Sequence, residues 1–98
     1  MAKITWTAEA ETWLSEIFEY IAQENPAAAR NVAQSIYEQA QRLQDFPEIG
    51  YKYRTEKEGD VRILLYGHYR IAYLIRSPDQ VDILGVFHGA MDIDRYLQ

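Results

Sequence analysis

Apolar residues crowd into three runs in the second half of the chain, residues 61–66, 69–76 and 81–88, within GDVRILLYGHYRIAYLIRSPDQVDILGVFH. The runs are rich in Val, Ile, Leu and Tyr, whose branched and aromatic side chains suit a pleated sheet. Gly67-His68 separates the first two, and a glycine at the first position of a two-residue loop suits a type II′ hairpin turn. Ser77-Pro78-Asp79-Gln80 separates the second and third, with φ fixed at Pro78. The pattern predicts a three-stranded antiparallel meander. Pairing Tyr66 with Tyr69 and Arg76 with Val81 sorts its side chains by the period of two. One face then carries Val61, Ile63, Leu65, Ala72, Leu74, Val81, Ile83 and Gly85, with a shallow spot at Ala72 and Gly85 where a helix can approach. The other carries Arg62, Leu64, Tyr66, Tyr69, Ile71, Tyr73, Leu84, Val86 and His88. Neither face alternates apolar with charged residues as a solvated face does, so both need a cover.

Ahead of the meander the period changes. Residues 3–6 (KITW) read as a short extra strand at one sheet edge. Thr7 then offers an N-cap oxygen, and Glu9 and Glu11 fall in the first turn, where the helix dipole favours negative charge. Ala10, Trp13, Leu14, Ile17 and Ile21 form one stripe of an amphipathic helix over residues 8–23. Asn25-Pro26 ends it and starts a second, with Asn25 as N-cap and Pro26 at the first helical position. Ala29, Val32, Ala33, Ile36, Tyr37, Ala40 and Leu43 form that helix's stripe, and Phe46-Pro47 stops it. Residues 51–60 (YKYRTEKEGD) are polar and mixed in charge, and read as a surface loop. Residues 90–97 suit a short terminal helix. The expected order is β-α-α-β-β-β in an α+β fold, a helix hairpin packed on an antiparallel sheet. The hairpin covers one face. Eight or nine terminal residues do not fully cover the other, so an apolar face with its tyrosines is left as a partner surface.

Ninety-eight residues suit a single domain spanning 1–98. The absence of cysteine excludes a disulfide framework and a thiolate metal site. No run reaches membrane-spanning length and the N-terminus lacks a signal-peptide core, so the expected compartment is the cytoplasm. A net charge of −5 and a pI near 4.9 argue against broad electrostatic binding to nucleic acid. Lys52, Arg54 and Lys57 form a basic cluster, diluted by Glu56 and Glu58, and read as a solvated loop.

Candidate chemistry is sparse. His68 sits in a turn. His88 with Asp92 four residues later has the make-up of an acid–base pair, but reads more readily as a local hydrogen bond fixing the chain end. Two histidines do not make a metal site, and no cofactor is implied. Arg62 either pairs with a carboxylate at the sheet rim or meets a partner's carboxylate, and Arg70 reads as structural. Tyr66, Tyr69 and Tyr73 lack interleaved lysines, so protein contact or packing suits them better than base stacking.

Taken in order, YIAQENPAAA, LQDFPEIG, GDVRILLYGHYRIAYLI and VDILGVFHGAMDIDRYL resemble the toxins of the RelE/ParE superfamily, the toxic halves of type II toxin–antitoxin modules. RelE-like members cleave mRNA on the ribosome, and ParE-like members inhibit DNA gyrase. The resemblance implies basic residues on the sheet for the nuclease, and here those positions fall on Leu65 and Met91. It therefore points to the ParE side, with a cognate antitoxin and DNA gyrase as partners and no direct nucleic-acid contact. No catalytic residue is implied. The candidates for antitoxin or target contact are Arg62, Leu64, Tyr66, Tyr73, Leu84, Val86, His88, Asp92 and Arg95. A ribosome-dependent endonuclease and a binding module that has lost its toxicity are the alternatives.

Overall fold

Both helices begin where a short polar side chain replaces a missing backbone partner. In the computed structural model, which describes residues 1–97, Thr7 Oγ1 accepts the amide of Ala10 at 3.1 Å. Asn25 Oδ1 accepts that of Ala28 at 3.0 Å. Helix α1 runs Ala8–Ala22 and α2 runs Pro26–Gln41, with Pro26 in the first turn, where its missing N–H is no loss. Strand β1 (Lys3–Trp6) precedes them, and β2 (Tyr51–Glu56), β3 (Gly59–Tyr66), β4 (Tyr69–Ser77) and β5 (Gln80–His88) follow. The sheet order is β1-β5-β4-β3-β2. Strand β1 lies parallel to β5, and the other neighbours are antiparallel. The fold is α+β, with a helix hairpin on one face of a five-stranded mixed sheet.

One strand more is present than the polarity of residues 51–60 suggests. That segment is an edge hairpin, and an edge strand keeps one side in water, which suits its charged residues. Its turn, Lys57-Glu58, carries none of the usual turn residues. The positive φ falls one place later, on Gly59 at 146°, where a Cβ would lie 1.9 Å from the Ile75 carbonyl oxygen. Only glycine fits there.

The β3–β4 register is the expected one, Tyr66 facing Tyr69. The β4–β5 register is not. Ile75, rather than Arg76, faces Val81, and irregularities occur at Ala72/Tyr73 and Ile75/Ser77. A bulge moves every side chain beyond it to the opposite face. Val81 and Ile83 therefore join the face of Ile71 and Tyr73, and Leu84 leaves it. Gly85 does stand opposite Ala72, but no helix enters the hollow. The Phe87 ring fills it, 2.5 Å from where a Gly85 Cβ would be.

The helix hairpin covers the face carrying Leu64, Ile71, Tyr73, Val81, Ile83 and Val86, and contributes Ala10, Ile36 and Ala40 to that core. Trp13, Ile17 and Val32 pack at its margin. The opposite face carries Val61, Ile63, Ala72, Leu74 and Phe87, and is closed by Ile93 and Leu97. Those two lie on either side of the end of a short 3-10 turn, Ile93–Arg95. The expectation of an uncovered face bearing Leu64, Leu84 and Val86 is thus overturned. Burying a large apolar side chain stabilises by roughly 1.5–3 kcal/mol, so two anchors suffice to hold a short tail over the sheet.

Candidate partner surfaces

The sheet arginines act as clamps on the backbone. Arg62 Nη1 donates to the carbonyls of Glu48 at 3.1 Å and Gly50 at 2.6 Å, fixing the α2–β2 connection. Arg70 Nη2 donates to Gly89 at 3.1 Å and Met91 at 2.5 Å, and Arg54 Nη2 donates to Leu97 at 2.6 Å. Together they hold the chain end against the sheet. Hydrogen bonds from a charged donor are stronger than neutral ones, and these satisfy carbonyls that no strand partner reaches. Arg76 pairs with the buried carboxylate of Asp82, and that bond raises the pKa of the guanidinium further. Lys52 and Arg54 face Asp60 and Glu56 at 3.5 and 3.0 Å. Two of the three residues of the basic cluster Lys52, Arg54 and Lys57 are therefore internally paired.

Of the candidate contact residues, Leu64, Tyr73 and Val86 lie in the core beneath the helices and do not reach a partner. The cause is the helix hairpin, which packs on that face of the sheet. Tyr66 and Leu84 are half-buried, Leu84 on the opposite face. His88, Asp92 and Arg95 are exposed. His88 and Asp92 do not bond each other. His88 Nδ1 accepts the amide of Ala90 at 3.2 Å, while Asp92 caps the final turn by accepting the amide of Asp94 at 3.2 Å. Tyr53 donates to Asp94, and this hydrogen bond is the main cause of its raised pKa. Gln98 lies outside the described residues.

Among the clefts of the described residues, three join side chains from two or more helices or strands. One of 520 Å³ runs between α1 and α2, where Leu14, Phe18, Ala33 and Tyr37 form its apolar wall and Glu11 and Glu19 its rim. One of 680 Å³ lies beside the chain end and mixes Arg54, Arg76 and Arg95 with Glu9, Glu56 and Glu58. The third, 380 Å³, lies between α1 and the ends of β4 and β5. Phe18 and Tyr20 stand off the α1 core stripe, and that displacement is the one sequence signal for the first and third clefts. Leu65, 62% exposed, and Tyr51, 48% exposed, lie on the same sheet face near the β2 edge. Among the described residues no group of three or more His, Asp or Glu is placed to hold a metal. No described helix is long and apolar enough to cross a membrane.

A helix hairpin between the first strand and an otherwise antiparallel sheet, closed by an arginine-clamped tail, defines a small α+β domain. The family model for the ParE toxin of the type II toxin–antitoxin system parDE matches residues 4–93, and the chain belongs to that family. A solved structure described as the chromosomal ParDE TA system from P. aeruginosa is similar in fold. Its TM-score is 0.72 at 24% identity, over 90% of this chain and 96% of that one. No curated protein matches.

Proposed function

We propose that this chain is the toxin of a type II pair, that it binds DNA gyrase and blocks its turnover, and that a cognate antitoxin neutralises it in the cytoplasm. The observation that carries the reading is the state of the cations on the sheet. Where the resemblance to the RelE nucleases places arginines stand Leu65, 62% exposed, and Met91. The arginines that are present on β3 and β4 hold backbone carbonyls or Asp82. Cleavage of a phosphodiester needs charge stabilisation around the phosphate, each such donor being worth about 2.7–4 kcal/mol in the transition state. Leucine and methionine supply none. Leu65 and Tyr51 instead offer exposed apolar area for a protein target.

Two assays with folded, antitoxin-free protein test this. Relaxed plasmid incubated with gyrase is expected to remain relaxed, and ribosome-bound mRNA to remain uncut. Cuts at discrete codon positions with normal supercoiling would replace the reading with the nuclease one. Silence in both would leave a binding module without toxicity.

A further inference from the structure

We propose that the cleft between α1 and the ends of β4 and β5 is an arginine-binding site. It takes the side chain of an arginine on a partner polypeptide among the rings of Trp13, Tyr20 and Tyr69, with Glu16 as counter-ion. The inference rests on the cleft alone and does not depend on gyrase being the target.

The sequence builds the site from two directions. Trp13, Glu16, Ile17 and Tyr20 stand at i, i+3, i+4 and i+7 of α1, so they share one side of the helix. Tyr69 and His88 face each other across β4 and β5, with Val86 one pleat along on the same face. These residues meet around a cleft of 380 Å³. Its floor, Ile17 and Val86, suits the aliphatic stem of a long side chain. Its walls are three aromatic rings, whose faces attract a cation. Two of them are held in place without a ligand. Trp13 packs edge-on against Phe87 at 5.0 Å and Tyr96 at 5.1 Å, and Tyr69 meets the His88 ring edge-on at 6.0 Å. Tyr20 is 78% exposed, a large aromatic left in water at the mouth.

Charge selects the occupant. Glu16 is the single formally charged residue lining the cleft. Helix α1 also carries Glu9, Glu11 and Glu19 and no lysine or arginine. The nearby Arg70 reaches the Met91 carbonyl from the other sheet face and is bound there. Arginine fits better than lysine, because a planar guanidinium stacks on rings and forks a carboxylate at once.

The test is an NMR titration of the unsubstituted 98-residue chain with N-acetyl-arginine amide, N-acetyl-citrulline amide, N-acetyl-norleucine amide and choline. Trp6, which lines the α1–α2 cleft, provides a second indole signal as internal control. The arginine probe is expected to give a saturable shift of the Trp13 indole and the Ile17 and Val86 methyls, leaving Trp6 unmoved. Glu16→Gln and Tyr20→Ala, both at exposed positions, are expected to weaken it roughly two- to fivefold each, the scale of one cation–π or charge contact at an exposed site. Citrulline or norleucine binding as tightly as arginine would overturn the proposal in favour of a merely apolar cleft. Tighter choline binding would reassign it to small quaternary amines. Unchanged affinity in both variants, or shifts spread along all the α1 glutamates, would also overturn it.

Discussion

Tyr73 shows how much one hydroxyl can organise. It is fully buried, its hydroxyl donates to the Pro47 carbonyl at 2.7 Å, and it accepts the Gly50 amide at 2.9 Å. The connection from α2 to β2 is thus tied to the centre of β4. Tyr73→Phe removes the acceptor and leaves a buried amide unpaired, at an expected cost of about 1–3 kcal/mol in urea unfolding. The same burial raises the pKa of Tyr73 above the ordinary tyrosine value, against a smaller opposing effect of the Gly50 amide. A raised folded-state pKa means the native state holds the proton more tightly. Its contribution is complete below pH ~10, the unfolded tyrosine value, and is lost as pH rises through the folded value. Tyr53 titrates in the same direction, so stability is expected to fall in alkali in both proteins, but less steeply in Tyr73→Phe. Equal slopes would show that burial of Tyr73 is not the cause. Nothing in the one-dimensional pattern separates Tyr73 from Tyr66 and Tyr69, because all three alternate correctly on one face.

Among the elements, the helices were the most legible. Thr7 and Asn25-Pro26 announce their starts chemically, and the apolar stripes run long enough for the period to be clear. Ile36 has no solvent exposure and belongs to the core between α2 and the sheet. Ile36→Ala is expected to cost about 2–5 kcal/mol by chemical denaturation, against half a kcal/mol or less for a surface site. Strand β2 was illegible because an edge strand needs no apolar face and its turn hides the left-handed residue at Gly59. The β4–β5 bulges were illegible for a different reason. A bulge leaves composition unchanged and shows itself only in what packs beside it, here Asp82 meeting Arg76 and Phe87 filling the space over Gly85. The same limit governs the partner surfaces. Leu64 and Val86 look identical to exposed strand residues until it is known which face the helices take. Trp13 and Ile17 read as core, and they also line the cleft at the core's edge.

At the scale of the whole molecule, the charges are sorted by element. Helix α1 is wholly acidic among its charged residues, whereas Arg54, Arg62, Arg70 and Arg76 lie on β2, β3 and β4, where they hold backbone and carboxylates. Negative charge is therefore concentrated on α1, and the sheet's arginines are turned to their own chain. An acidic helical side and a neutralised sheet suit protein partners better than a polyanion.

The parallel pairing of β1 with β5 sets an order of events. Thr7 Oγ1 donates to Ile83 across 76 positions of sequence, and β5 lies inside the sheet, between β1 and β4. A polypeptide emerging residue by residue has no neighbour for β1, and leaves one side of β4 bare, until β5 arrives. Contacts this distant in sequence form slowly, in the millisecond-to-second range typical of non-local sheets. A fragment ending at Asp79 is expected to lack a cooperative unfolding transition by circular dichroism, and a sharp transition there would refute this account. Interrupted synthesis would then release an unfolded polypeptide, easily degraded, instead of a partly folded domain. The topology itself makes the folded domain all-or-none.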